Sequence, residues 1–138
     1  MMEDCIFCKI ARGEIPCHKI YEDDRILAFL DISQTTRGHA LVITKEHFQN
    51  FLFVPKDLLS QAISAAQKVA QAEVTALGAK GVNILINTNE VAGQTVMHFH
   101  IHVIPRYDDQ DHISIEFAPN AIEKLNLPAL ANEIKKDL

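Results

Sequence analysis

The sequence predicts an α+β fold, a mostly antiparallel sheet with one principal helix and a short C-terminal helix, on three observations. Short apolar runs bounded by polar turn residues recur before Thr44 and again between Gly81 and Pro105, as strands of a hairpin-rich sheet do. One long stretch, from Pro55 or Asp57 to about Leu77, follows helical spacing. Pro128 near the start of the last segment, with Leu130 and Ile134 four residues apart, fits a terminal helix. At 138 residues the chain has the length of one compact domain, and it shows no repeat, low-complexity tract or linker, so residues 1–138 are read as a single domain.

Phe7 and Ile10 anchor a short helical turn from Ile6 to Ile10, which Gly13 and Pro16 interrupt. Lys19 to Glu22 and Ile26 to Ile32 form a strand pair across the polar turn Asp23-Asp24-Arg25. Arg37-Gly38 leads into a further strand, His39 to Thr44. In the long helix, Leu59, Ile63, Ala66, Ala70, Glu73 and Leu77 make the apolar stripe, widened by Ala62, Val69 and Val74. Asp57 suits its first turn and Gly78 its end. Gly81 to Thr88 reads as a strand, Asn89 to Thr95 as a glycine-containing loop, and Met97 to Pro105 as the central strand; Ser114 to Phe117 would add a short edge element.

Hydrophobic residues at 48% and charged residues at 22% are the balance of a folded soluble chain rather than a disordered one. A net charge of -5 gives no general reason to bind a polyanion, so no nucleic-acid partner is expected. No apolar run has the length of a membrane span, the opening Met1-Met2-Glu3-Asp4 is acidic, and Cys5 to Ile10 is too short for a leader. The expected location is the cytoplasm, with no membrane association.

Most of the chemistry lies in His98-Phe99-His100-Ile101-His102-Val103-Ile104-Pro105-Arg106. Strand alternation puts the three imidazoles on one face and Phe99, Ile101 and Val103 on the other. A core has no use for three stacked imidazoles, each of which must be hydrogen-bonded, charged or metal-bound and titrates near neutrality. One use is a catalytic metal held by all three. Residues two apart on a strand are separated by about 6.6 Å, which works against convergence on one ion. Another is nucleophilic attack on phosphorus by a neutral imidazole, with His39 or His102 supplying a proton or positive charge. Three cysteines make no even disulfide framework, and Cys5-Ile6-Phe7-Cys8 has the spacing of half a metal site, a redox pair, or two small packing residues. One triad histidine could complete a closed Cys2His2 site with Cys5, Cys8 and another histidine such as His47. Cys17 is read as packing or incidental surface, and His18 and His112 as surface.

The His-apolar-His-apolar-His-apolar-apolar run from His98 to Ile104 resembles the signature of the histidine triad (HIT) family of nucleotide hydrolases and transferases. The likeness extends over Ile26 to Ser33, Gly38 to Ile43 and Asn87 to Arg106, roughly Cys5 to Tyr107 in all, and is greatest to small bacterial-type members. It implies a HIT-like fold and a homodimer. His100 would be the nucleophile that forms a nucleotidyl-histidine intermediate, while His102 and His39 would contact phosphate and assist charge or proton transfer. Asn87, Gln94 and Thr95, with the Gly93 backbone, would surround the phosphate oxygens; Thr95 stands where many relatives have serine. Asp31 would bind the ribose hydroxyls, and Ile6, Phe7, Ile10, Phe29 and Ile32 would line the base pocket. Cys5, Cys8, His47 and His98 would hold a structural zinc ion. The implied activity is a purine nucleoside phosphoramidase or nucleotidyl hydrolase that releases a nucleoside monophosphate. Dinucleoside polyphosphate hydrolysis is the alternative, and a nucleotide-binding module without turnover a third. Arg106 is open between phosphate binding and a structural place at the strand exit.

Overall fold

The computed structural model describes residues 4–118 and 125–138. Its elements are α1 (Ile6–Ala11), β1 (Lys19–Glu22), β2 (Ile26–Leu30), β3 (Ala40–Thr44), α2 (Lys56–Leu77), β4 (Gly81–Leu85), β5 (His100–Arg106) and α3 (Leu127–Lys135). The strands form one antiparallel sheet in the order β1-β2-β3-β5-β4. The α+β class, the antiparallel sheet, the principal helix and the terminal helix are as the sequence predicts.

Strand alternation divides the core in two. On one face Ile26, Ala28, Ala40, Val42, Phe99, Ile101 and Val103 pack with Leu58, Ala62, Ala65, Ala66 and Val69 of α2. On the other, Leu27, Phe29, Leu41 and Ile43 pack with Phe7 and Ile10 of α1. The second face is the one on which His100 and His102 emerge, beside Ile43 and Leu41 in the β3/β5 register.

Several boundaries differ from the sequence reading, each for a local reason. Ser114 to Phe117 is irregular chain and adds no strand. β2 ends at Leu30, because Asp31 turns the chain by accepting the Ser33 N–H at 2.8 Å. β5 starts at His100 rather than Met97, since the Phe99 N–H is used by the Phe48 carbonyl at 2.7 Å, and β4 stops at Leu85 rather than Thr88. In α2 the buried stripe is Leu58, Ala62, Ala65, Ala66, Val69 and Glu73, rotated from the expected one so that Ile63 and Val74 stay exposed. Asp57 occupies the first turn and pairs with Arg25 at 3.0 Å, and Gly78 ends the helix in the left-handed region at φ 73°.

Gly38 enters β3 with φ +101°, where a side chain is strained, and a Cβ there would lie 2.6 Å from Leu77 Cδ1 and 2.8 Å from Glu73 Oε2. Gly38→Ala is expected to cost about 2–4 kcal/mol, combining backbone strain with overpacking, and to lower the denaturation midpoint accordingly. An unchanged midpoint would mean that α2 moves aside freely.

Arg106 has the structural place. Its guanidinium donates to Asp111 at 2.9 Å, Asn83 Oδ1 at 2.7 Å and the Ile113 carbonyl at 3.2 Å, tying the chain after β5 back to β4. Arg106→Ala should lower stability by about 1–2 kcal/mol in urea unfolding, since three contacts are lost together.

Candidate active site and metal centre

His98 is fully buried just ahead of β5. Its Nε2–H donates to the Thr44 carbonyl at 2.6 Å, which leaves the Nδ1 lone pair pointing at Cys5 Sγ (3.3 Å), Cys8 Sγ (3.5 Å) and His47 Nδ1 (3.1 Å). His47 Nδ1 is also 3.4 Å from Cys8 Sγ. Burial pushes the His98 imidazole down to about 4 and lowers His47 as well, so both present neutral rings at pH 7. Zinc bonds of about 2.3 Å to sulfur and 2.05 Å to nitrogen, arranged tetrahedrally, would set N···S near ~3.6 Å and N···N near ~3.3 Å. The four donor atoms, all within 4.8 Å of one another, fit that cage. The Thr44 carbonyl also fixes the His98 tautomer from the outer side, as ligating histidines require.

Local structure explains why the cysteines reach this point. Cys5 caps α1, its sulfur accepting the Cys8 N–H at 3.4 Å, so one turn of helix brings both thiols to the same end. Phe7, between them in sequence, stands edge-on to the rings of His98 and His100 at 5.8 and 5.1 Å.

The three-histidine metal site is not formed. Among the described residues, His98 and His102 fall into different potential ligand groups, and His100 into neither. Instead each ring has its own hydrogen bond. His100 Nδ1–H donates to the His98 carbonyl at 2.7 Å, which leaves the lone pair on Nε2. His39 Nδ1 accepts the Thr35 N–H at 3.3 Å, so its proton resides on Nε2, which faces His102 Nδ1 at 3.0 Å and Asp31 Oδ2 at 3.7 Å. By that bond His102 carries its own proton on Nε2. Burial lowers all three pKa values. For His102, pushed down to about 4, repulsion from charged forms of His100 and His39 adds to burial and Asp31 opposes it. The site therefore holds neutral imidazoles at pH 7, one with a free lone pair and one with a free N–H.

Both rings open on a cavity of about 470 Å³. Ile6, Phe7, Ile10 and Phe29 form apolar wall, Ile32 lies at an exposed rim, and Asp31 and Thr95 reach the same space. His39 does not line it and touches it only through His102. Asn87, Gly93 and Gln94 also lie outside the lining. The Asn87 amide donates to the Gly93 carbonyl at 3.3 Å. The buried Gln94 side chain is committed to its loop: its amide donates to the carbonyls of Gln49 (2.8 Å) and Val96 (3.0 Å), and its oxygen accepts the Asn89 N–H at 2.7 Å. Gln94 thus shapes the loop rather than offering a free donor. Sequence reasoning missed Leu41, Val96 and the Ile15–His18 segment as walls. Leu41 was findable, two residues after His39 on one strand face; the irregular Ile15–His18 segment has no periodicity to read.

The HIT domain family model matches residues 12–109. The chain is 50% identical over 109 residues to protein hit of Bacillus subtilis, covering 79% of this chain and 75% of that one. It is 36% identical over 134 residues to adenosine 5'-monophosphoramidase hnt1 of Schizosaccharomyces pombe, covering 97% and 98%. The crystal structure of a HIT family protein from Bacillus anthracis superposes with a TM-score of 0.93 at 42% identity, over 100% of this chain and 99% of that one. A zinc-bound histidine triad family protein from Mycobacterium smegmatis superposes at 0.75 with 38% identity, over 96% and 97%. With the triad on one strand face above a cavity, and relatives of this identity spanning most of its length, the chain belongs to the HIT domain family.

Proposed function

We propose that the protein is a nucleotide hydrolase that cleaves purine nucleoside phosphoramidates or related nucleotidyl conjugates through a nucleotidyl-His100 intermediate. The observation that carries this reading is the His100 ring, pinned at Nδ1 by the His98 carbonyl at 2.7 Å and left with an unprotonated Nε2 on the cavity. The names of relatives, the S. pombe monophosphoramidase among them, support a nucleotide substrate.

Nε2 of His100 attacks phosphorus and forms a P–N bond while the bond to the leaving amine breaks. His102 Nε2–H gives the amine its proton, and His39, donating to His102 Nδ1, holds that ring in the donating tautomer. Water then attacks phosphorus, the P–Nε2 bond breaks, and a water proton restores His102. Asp31 binds the ribose hydroxyls, the Phe7 and Phe29 side holds the base, and Thr95 meets the phosphate. Gln94 and Asn87 keep that loop in shape. Zinc on Cys5, Cys8, His47 and His98 is structural, a role supported by the donor geometry and by the zinc-bound M. smegmatis relative. It would clamp α1, and with it Phe7, against the sheet.

Residues 1–138 form one domain in this reading, supported by the single shared sheet, and the protein works as a homodimer in the cytoplasm. Among the described residues no helix is long and apolar enough to cross a membrane.

The test is steady-state release of AMP from adenosine 5'-phosphoramidate and from diadenosine tetraphosphate. We expect kcat/KM for the phosphoramidate to be higher by ~10-fold or more, about 1.4 kcal/mol in transition-state binding. A preference for the dinucleotide would move the protein to polyphosphate hydrolysis, and saturable binding of both without turnover to a binding module.

A further inference from the structure

Asp31, His39 and His102 bring a carboxylate oxygen and two ring nitrogens within 4.8 Å of one another, apart from the cage of Cys5, Cys8, His47 and His98. His39 Nε2 lies 3.0 Å from His102 Nδ1 and 3.7 Å from Asp31 Oδ2. Tetrahedral zinc bonds of about 2.05 Å to nitrogen and 2.1 Å to oxygen would set N···N near ~3.3 Å and N···O near ~3.4 Å. Shifts of about 0.3 Å, one outward and one inward, bring both separations to those values.

The backbone holds the three donors in place before any ion arrives. The Asp31 N–H donates to the His39 carbonyl at 3.0 Å, and the Gln34 amide donates to the carbonyls of both residues at 2.5 and 2.7 Å. His39 leads into β3, whose register sets Ala40 opposite Val103 and so brings His102 alongside. Asp31 Oδ1 is spent on the Ser33 N–H at 2.8 Å, which leaves Oδ2 turned to His39. Donors already fixed cost an arriving ion little ordering.

Burial keeps both rings neutral at pH 7, so no imidazolium has to lose a proton first. His102 presents the lone pair of Nδ1 as it stands. On His39 the ring proton moves from Nε2 to Nδ1, where the Thr35 N–H bond of 3.3 Å is long and the Ser33 carbonyl faces the same ring as an acceptor. The proton changes nitrogen and stays on the ring. Two imidazoles and one carboxylate suit zinc, copper or cobalt, whereas Mg²⁺ and Ca²⁺ take oxygen ligands. Asp31 and His102 line the cavity, so the ion's remaining position opens on it.

We infer that Asp31, His39 and His102 form a second metal site, which takes a divalent transition ion such as Zn²⁺ or Cu²⁺ and shuts the active site against nucleotide. The ion removes the His39 N–H that donates to His102 and takes the Asp31 oxygen from the ribose. The exclusion of nucleotide rests on the proposed function, which gives Asp31 to the ribose; the binding of the ion does not.

The test titrates the zinc-loaded protein with Co²⁺ and follows the visible d–d absorption. The expected band saturates at one cobalt per chain without sulfur-to-cobalt charge transfer. Asp31→Asn, which keeps an oxygen for the Ser33 N–H, should weaken cobalt binding by ~100-fold or more, since outer-sphere partners alone are worth about 10–100-fold. His100→Ala should bind cobalt as the wild type does, because His100 belongs to neither donor group. Survival of the band in Asp31→Asn, or its loss in His100→Ala, would overturn the assignment of the ligands. Sulfur charge transfer unaffected by Asp31→Asn would place the cobalt in the cysteine cage and overturn the second site. Excess Mg²⁺ should leave the band in place, and its displacement would overturn the donor set. AMP should displace the cobalt, and Zn²⁺ should raise KM for the phosphoramidate with kcat unchanged; a band indifferent to AMP would overturn the exclusion. The two readings fail separately. A protein that binds cobalt here and turns over no phosphoramidate loses the proposed function and keeps the site, while one that turns over and shows no band loses the site alone.

Discussion

His100→Ala is expected to lower kcat for phosphoramidate cleavage by ~10⁴-fold or more while nucleotide binding stays within about threefold of the wild type. The asymmetry follows from where the ring stands. Its Nε2 has no hydrogen-bond partner among the described residues, and the base, ribose and phosphate contacts assigned to Phe7, Asp31 and Thr95 do not pass through it. Truncation therefore removes the reacting atom and little of the binding surface. Single-turnover mass spectrometry of the wild type should show a covalent adduct of one nucleotidyl group, absent in His100→Ala. His102→Ala should behave differently, losing more rate with a poorly leaving alkylamine than with an activated aryl leaving group, because it supplies a proton rather than a bond. Retention of wild-type turnover by His100→Ala would end the nucleophile assignment.

The second large effect is in stability. Cys8→Ala should remove one bound zinc ion per chain and lower the melting temperature by at least about 10 °C, roughly 3 kcal/mol for a domain of this size. Cys8 is fully buried, so part of any loss is plain packing, and the two contributions have to be separated. Chelator-stripped wild type separates them: it should melt near the variant, and adding Cys8→Ala to the stripped protein should cost only about 1 kcal/mol more. Equal costs with and without zinc would make Cys8 a packing residue alone. Added zinc should raise the melting temperature of the stripped wild type, since the proposed cage is assembled in the folded state and not in the unfolded chain.

The triad and the two faces of the sheet were legible because alternation is a local property, written residue by residue from His98 to Val103. Of the proposed zinc donors, Cys5 and Cys8 were legible from the short spacing that one helical turn brings together, whereas His47 and His98 followed from the family resemblance. What joins His39 to His102 is the β3/β5 register and the Thr35 N–H, neither of which spacing in the chain reveals. Gln94 had the residue type of a phosphate contact, but its side chain is spent on three backbone groups that appear only once the loop has closed. Ser114 to Phe117 had strand composition without a neighbour to pair with, and pairing rather than composition makes a strand. The terminal helix was readable from Leu130 and Ile134, but its exposure was not.

The alternation of β5 also sets which length changes the gene can survive. Inserting or deleting one codon between His98 and His102 would carry every later side chain to the opposite face, placing an imidazole among Ala62, Ala66 and Val69 and an aliphatic residue at the cavity. A two-codon change keeps each residue on its face and shifts it along the strand by one repeat. Variants of this strand should therefore sort by the parity of their length change, odd ones lost as unfolded protein and even ones recovered as folded chains with a displaced triad.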